Sequence, residues 1–164
     1  MTNANVNLKH DRMRFIKNKT SANLALLGIV FNVLYFVSIY SSDVGNYYYK
    51  AEIGISVVYN LLFLLITFLS SEGVKSYKLS YSYILIGVGA MQIVRIFKIP
   101  LEAVRAVITV SGAEEAVMSG RQFAYVTVML TLSAVCCIAG GIIGVIRTGT
   151  LEAYNKSLAE GEKN

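Results

Sequence analysis

Charge is scarce in this chain. Asp, Glu, Lys and Arg supply 15% of its residues against 55% hydrophobic ones, which leaves no room for a separate soluble domain of useful size. Histidine occurs once, as His10, and proline once, as Pro100. The only cysteines are the neighbours Cys136 and Cys137. Adjacent helix positions point in different directions, so these thiols cannot readily bridge, and no zinc-ligand spacing exists. They read as small apolar packing residues. No nucleotide-binding motif or phosphate-cradling glycine loop occurs, so any energy coupling has to come from another chain. The expectation is a protein that is not an enzyme and holds no metal or cofactor.

What the chain does have is four long apolar runs, near Asn23–Ser42, Ala51–Ser71, Leu79–Lys98 and Phe123–Arg147. A bilayer core about 30 Å thick needs roughly 20 helical residues at about 1.5 Å each, and every run meets that length. A helix in a soluble core carries polar residues every third or fourth position, whereas these runs carry only a few in their interior. The mean hydropathy of +0.56 agrees. The predicted fold is an all-α membrane protein, an antiparallel bundle of four transmembrane helices with short amphipathic helices in the outer loop and at the termini. Residues 1–164 then form one integral membrane domain, with an outer loop at 99–122 and tails at 1–22 and 148–164. The first run exceeds a usual signal-peptide core and no small-x-small site follows it, so this span is expected to be retained.

Basic residues give the orientation. Lys9, Arg12, Arg14, Lys17, Lys19, Lys75, Lys78, Arg147, Lys156 and Lys163 fall on one side of a four-span model, and Lys50, Arg95, Lys98, Arg105 and Arg121 on the other. The positive-inside bias puts both termini in the cytoplasm. The net charge of +5 therefore reads as a topology signal and lipid-headgroup anchor. No basic stripe with interleaved aromatics accompanies it, and no nucleic-acid partner is expected. The sequons Asn18-Lys19-Thr20 and Asn155-Lys156-Ser157 face the cytoplasm in this topology and read as chance matches. His10 lies on the opposite side of the membrane from Glu114 and Glu115, so these groups cannot cooperate in catalysis.

Outside the spans, the prefix 5–17 reads either as a basic amphipathic surface helix or as a charged leader. Tyr47, Tyr48 and Tyr49 stand at an aromatic belt beside Tyr40, or offer a stacking surface to a ligand or partner. Pro100 closes the third span. In the outer loop, Leu101, Val104, Ala106, Val107, Ile108 and Val110 form an apolar stretch interrupted by Glu102 and Arg105, the first of two expected short helices. Ser111-x-x-Glu114 fits a capping box for the second, ending near Gly120. Glu102, Arg105, Glu114 and Glu115, with the tyrosine triplet, are the outer-face interaction candidates. Leu151, Tyr154 and Leu158 make an apolar face in the tail, suited to the inner leaflet or a cytoplasmic partner.

Inside the spans, Phe31-Asn32-Val33-Leu34-Tyr35 and Tyr59-Asn60-Leu61-Leu62-Phe63 share an aromatic-Asn-apolar-Leu-aromatic pattern. Amides at equal depth on antiparallel neighbours predict an Asn32–Asn60 contact that sets register, the alternative being that each faces a solute or a partner. Glu52, Ser56, Asn60 and Thr67 lie close to one face of the second span. No carboxylate lies at mid-depth in any span, which weighs against an ion-coupled transporter. Gln92 and Arg95 are three apart and share a face. Arg95 is expected to snorkel outward, with Glu52 or Glu102 as counter-charge, and this group is the favoured interaction site. Span four carries two small-residue stripes, Ser133–Cys137–Gly141 and Cys136–Gly140–Gly144, the second ending in Gly-x-x-x-Gly. They permit close helix approach by a partner that is internal or foreign.

Five stretches taken together, Phe31-Asn-Val-Leu-Tyr-Phe36, Asp43-Val-Gly-Asn-Tyr-Tyr-Tyr49, Ser71-Glu-Gly-Val-Lys75, Gln92-Ile-Val-Arg-Ile-Phe97 and Ala153-Tyr-Asn-Lys-Ser157, run over nearly the whole chain. In them the chain resembles a family of small uncharacterised four-span membrane proteins of Gram-positive anaerobes, often associated with carbohydrate ABC importers. The resemblance implies an accessory subunit beside such a transporter, with permease subunits as partners, and brings no functional residues with it. The competing expectation is a small channel or carrier that self-associates, lined by Asn32, Asn60, Gln92 and Arg95.

Overall fold

Each apolar run becomes a helix in the computed structural model, which describes residues 11–13, 15–40, 50–105, 107–110, 113–116 and 118–161. The helices are α1 (Lys19–Tyr40), α2 (Lys50–Lys75), α3 (Leu79–Ile96), α4 (Ile99–Arg105) and α5 (Gly120–Gly161), with strands β1 (Val107–Val110) and β2 (Ala113–Ala116) between α4 and α5. Among the described residues, α1, α2, α3 and α5 lie in stretches long and apolar enough to cross a membrane. The tyrosine triplet 47–49 lies outside the described residues, as does most of the prefix.

Local chemistry sets the helix ends. Asn18 caps α1, its Oδ1 accepting from the Ser21 backbone N–H at 3.4 Å. The end of α2 closes as a six-residue cap in which Lys78 N–H donates to Gly73 C=O and Tyr77 N–H to Val74 C=O. That cap needs a left-handed residue, usually glycine, and Tyr77 takes the role with φ 56°. Its hydroxyl is tied by a 3.0 Å bond to the Ile16 carbonyl. Burial pushes the Tyr77 phenol above its ordinary value, against the pull of nearby Arg147.

The outer loop departs from expectation in its second half. Only the first half of the first expected helix is helical, as α4, and 107–116 form an antiparallel strand pair with Val107 opposite Ala116 and Val110 opposite Ala113. The reason is the β-branched run Val107-Ile108-Thr109-Val110, which favours extended backbone, with a two-residue interval at Ser111-Gly112 suited to a hairpin. The capping sequence in use lies downstream. Ser119 Oγ accepts from the Gln122 N–H at 3.2 Å and starts α5, an S-x-x-Q pattern eight residues past the expected one. The loop then packs inward, burying Ala103 and Met118 against Tyr35, Ile39, Val126 and Leu130.

Small residues let α5 sit against both α1 and α3. Gly28 of α1 faces Ser133 and Cys137, and Gly89 of α3 faces Ala134 and Ile138. Gly140 lies on Ser21, Gly141 on Ser82 and Ile86, and Gly144 on Ser21 and Ser82. Ser21 Oγ also donates to the Gly140 carbonyl. The stripes of span four are thus filled from within the chain and are not an outward docking face. Helix α2 packs on α1 and α3 and touches α5 little. Where α2 meets α3, Gly73 lies against the Tyr81 ring.

At 42 residues α5 is about 63 Å long, roughly twice the bilayer core. The expected tail helix is therefore a continuation of this helix rather than a separate element turned onto a leaflet. Leu151 and Tyr154 are half-buried on it, and Leu158 is exposed.

A Cβ on Gly141 would sit 2.8 Å from the Ser82 carbonyl oxygen, whereas one on Gly149 meets nothing within 4 Å. Gly141→Leu should therefore cost more than the roughly 1–3 kcal/mol of ordinary overpacking, because backbone has to move. Gly149→Leu should leave the melting temperature in detergent within a few degrees of wild type. Equal thermal shifts for the two variants would contradict this packing.

Candidate functional site

Polar side chains from all four long helices meet in the interior. Asn32 Nδ2 donates to Asn60 Oδ1 at 3.2 Å, the expected contact between α1 and α2. Asn60 Nδ2 in turn donates to its own helix, at the Ser56 carbonyl, 2.9 Å away. From α3, Gln92 Nε2 donates to Asn32 Oδ1 at 2.8 Å and to Ser133 Oγ of α5 at 3.3 Å. Ser133 completes the circuit by donating to the Gly28 carbonyl of α1 at 2.8 Å.

Arg95 belongs to this cluster. It lies in the last turn of α3, yet the residue is only 7% exposed. Its Nη1 donates to Asn60 Oδ1 at 2.8 Å and Asn32 Oδ1 at 3.3 Å, and its Nη2 to Ser56 Oγ at 3.4 Å. The rings of Tyr35 and Tyr59 lie 4.5 and 4.7 Å from the guanidinium carbon. The outward snorkelling expected from the sequence is thus overturned. Helical side chains lean toward the N-terminus of their helix. Arg95 is near the C-terminus of α3, so that lean carries its stem back along the helix and into the core.

Magnitudes show why the charge can stay there. Placing an arginine in a membrane interior costs about 2.5–3.5 kcal/mol on insertion scales. A hydrogen bond to a charged group contributes about 1.5–3 kcal/mol, and a desolvated cation–π contact about 2 kcal/mol. Three bonds and two rings offset the burial.

Of the two expected counter-charges, Glu102 takes no part among the described residues. Glu102 and Arg105 are exposed on α4, and Glu72 pairs with Lys75 at 2.7 Å on α2. The side chains of Glu52, Glu114 and Glu115 lie outside the described residues. Glu114 and Glu115 stand on β2, paired with Thr109 and Ile108. Of the packing candidates, Ser133 enters the polar cluster, while Cys137, Gly140, Gly141 and Gly144 lie in the glycine contacts already described. No group of three or more His, Cys, Asp or Glu gathers among the described residues.

Sequence reasoning missed Tyr35 and Tyr59 as arginine partners. The signal was there: Tyr59 precedes Asn60, and Tyr35 follows Asn32 by three, so both ride on the amide-bearing turns. It also missed a second polar tie at the other end. Asn18 Oδ1 accepts from Arg147 Nη1 at 2.8 Å, and Asn18 N–H donates to the Lys75 carbonyl at 3.0 Å. Asn18 is fully buried there.

A double-mutant cycle on Asn32→Leu and Asn60→Leu should give a coupling energy of about 0.6–2 kcal/mol, read from unfolding in mixed micelles. Strictly additive losses would mean the amides do not share a network. No family model, curated protein or solved structure matches this chain, so the geometry itself is the ground for a functional reading.

Proposed function

We propose that this chain is a non-catalytic, multi-pass protein of the bacterial plasma membrane, an antiparallel four-helix bundle acting as partner subunit of a membrane transport assembly. The carrying observation is how its polarity is distributed. Asn32, Asn60, Gln92 and Ser133 are buried and bonded to one another, while Val30, Val37, Ile55, Leu61, Leu65, Val94, Val128 and Val135 are exposed. Polar groups that satisfy one another at the centre support a self-contained scaffold rather than a solute path. The apolar exterior suits lipid and the spans of a neighbouring membrane protein, with carbohydrate-importer permeases the partners that the sequence resemblance implies. Both termini are proposed to be cytoplasmic on the basic-residue bias.

A small oligomeric channel or carrier is the second reading. It is favoured by one observation, that Gln92 Oε1 is buried without a hydrogen-bond partner among the described residues. Affinity purification in mild detergent, followed by mass spectrometry and mass measurement of the complex, separates the two. Importer permeases in stoichiometric yield support the partner subunit. A discrete homo-oligomer that conducts a small polar solute in proteoliposomes supports the channel and sinks the first reading. A single cysteine at Ser157, in a chain lacking Cys136 and Cys137, should react with an impermeant maleimide only after the cells are opened. Labelling of intact cells would reverse the proposed orientation.

A further inference from the structure

Ahead of α1 runs a short strap, residues 11–18, described apart from residue 14. Its residues 11–13 and 15 are helical, and Ile16 N–H donates to the Arg12 carbonyl at 3.0 Å. Three contacts pin the end of this strap to the bundle. Asn18 N–H donates at 3.0 Å to the carbonyl of Lys75, the last residue of α2. Asn18 Oδ1 accepts from Arg147 of α5 at 2.8 Å. The Tyr77 hydroxyl reaches across from the α2–α3 turn and donates to the Ile16 carbonyl at 3.0 Å. Tyr77 does so from a left-handed conformation, φ 56°, which glycine would adopt without strain but in which glycine would have nothing to hold the strap with.

These contacts set the height of the strap. Asn18, Lys75 and Arg147 stand where the apolar runs of α1, α2 and α5 give way to polar sequence, so together they mark one membrane boundary. Phe15 lies three residues before Asn18, at most about 11 Å of extended chain, and the headgroup layer beyond the hydrocarbon is about 5–8 Å deep. Phe15 and Ile16 thus stay within reach of that layer. They are 82% and 57% exposed, a pair of large apolar side chains that the bundle leaves uncovered. Arg12, Lys17 and Lys19, with Lys78 of the turn, are exposed beside them, against Asp11 as the one acid among the described residues of the strap. Apolar side chains set among cations at a bilayer edge complement both parts of an anionic leaflet, its acyl chains and its phosphates.

We propose that the strap is an anchor for anionic phospholipid, with Phe15 and Ile16 entering beneath the headgroups and Arg12, Lys17, Lys19 and Lys78 facing the phosphates. Tyr77 is its positioning residue, fixing the depth at which the strap lies. This goes beyond the partner-subunit reading and does not depend on it.

The chain has no tryptophan, so Phe15→Trp places a single reporter at a position exposed enough to accept it. The full-length variant is reconstituted in vesicles of phosphatidylcholine, or of an equal mixture with phosphatidylglycerol, each carrying acyl-brominated lipid as quencher. In the mixture the indole emission should shift to the blue and be quenched most by bromines close to the headgroup. Quenching should be weaker in phosphatidylcholine alone. Lys17→Gln in the same background should lower the insertion constant, read by titrating phosphatidylglycerol, about fivefold. Tyr77→Phe, which releases the Ile16 carbonyl, should spread the quenching over a wider range of bromine depths, and an unchanged depth profile overturns the positioning role. A water-exposed indole in both vesicles overturns the anchor, as does quenching indifferent to both phosphatidylglycerol and Lys17→Gln. An indole exposed in vesicles but shielded in native membranes also overturns it, and assigns the strap to a protein partner.

Discussion

A guanidinium held out of water constrains everything around it. Arg95 cannot give up its charge, so its surroundings have to supply acceptors and polarisable surface at fixed positions. Asn32 on α1, Asn60 and Ser56 on α2, and the rings of Tyr35 and Tyr59 do so. Each of these contacts fixes the rotation of one helix about its own axis and its height relative to α3. Slide α2 by one turn, about 5.4 Å, and both Asn60 and Ser56 leave the charge unanswered. Individual bonds in such cores are weak. The specificity comes from the penalty on every alternative register, in which a cation would face hydrocarbon.

That geometry requires helices close enough for short side chains to touch, and the glycines provide the approach. Ser133 shows the dependence. It accepts from Gln92 and donates to the Gly28 carbonyl, which it can reach because Gly28 has no side chain to hold α1 and α5 apart. A Cβ on Gly28 would lie 2.7 Å from Cys137 Sγ and 3.2 Å from the Ser133 carbonyl oxygen. Close packing and the polar circuit are therefore one arrangement seen from two sides, and a bulky residue in a stripe would also break hydrogen bonds.

Much of this was legible in the residues. Helix identity followed from run length alone, and the Asn32–Asn60 contact from two amides at matched depth. What misled was direction. Placing Arg95 near the outer end suggested an escape to water, but position along a helix does not say which way a side chain leans, and the lean follows from helix polarity. The small-residue stripes were visible, but their partners were not, since Gly28 is alone in its run and Gly89 stands two residues from Gly87, a spacing that makes no helical stripe. In the outer loop a serine-to-glutamate spacing outweighed four β-branched residues in a row, and the reverse weighting was correct. Two capping patterns were present, and the one at Ser119 lay beside the long apolar run that could propagate a helix.

The helices are not equivalent in what holds them. α5 is gripped along its length by α1 and α3 through glycine contacts, which fail steeply with distance because backbone meets backbone. α2 lies apart from α5 and carries the broadest run of exposed large side chains, including Ile55, Val58, Leu61, Leu62, Leu65, Phe68 and Leu69. Its ties to the centre are apolar, through buried Phe63 and Val74, and polar, through Asn60 and Ser56 to Arg95. Hydrocarbon neighbours of any kind satisfy an apolar face equally, so they do not position α2 against lipid or against another helix. The charge does. The element with the largest outward surface is thus held in register by the polar core.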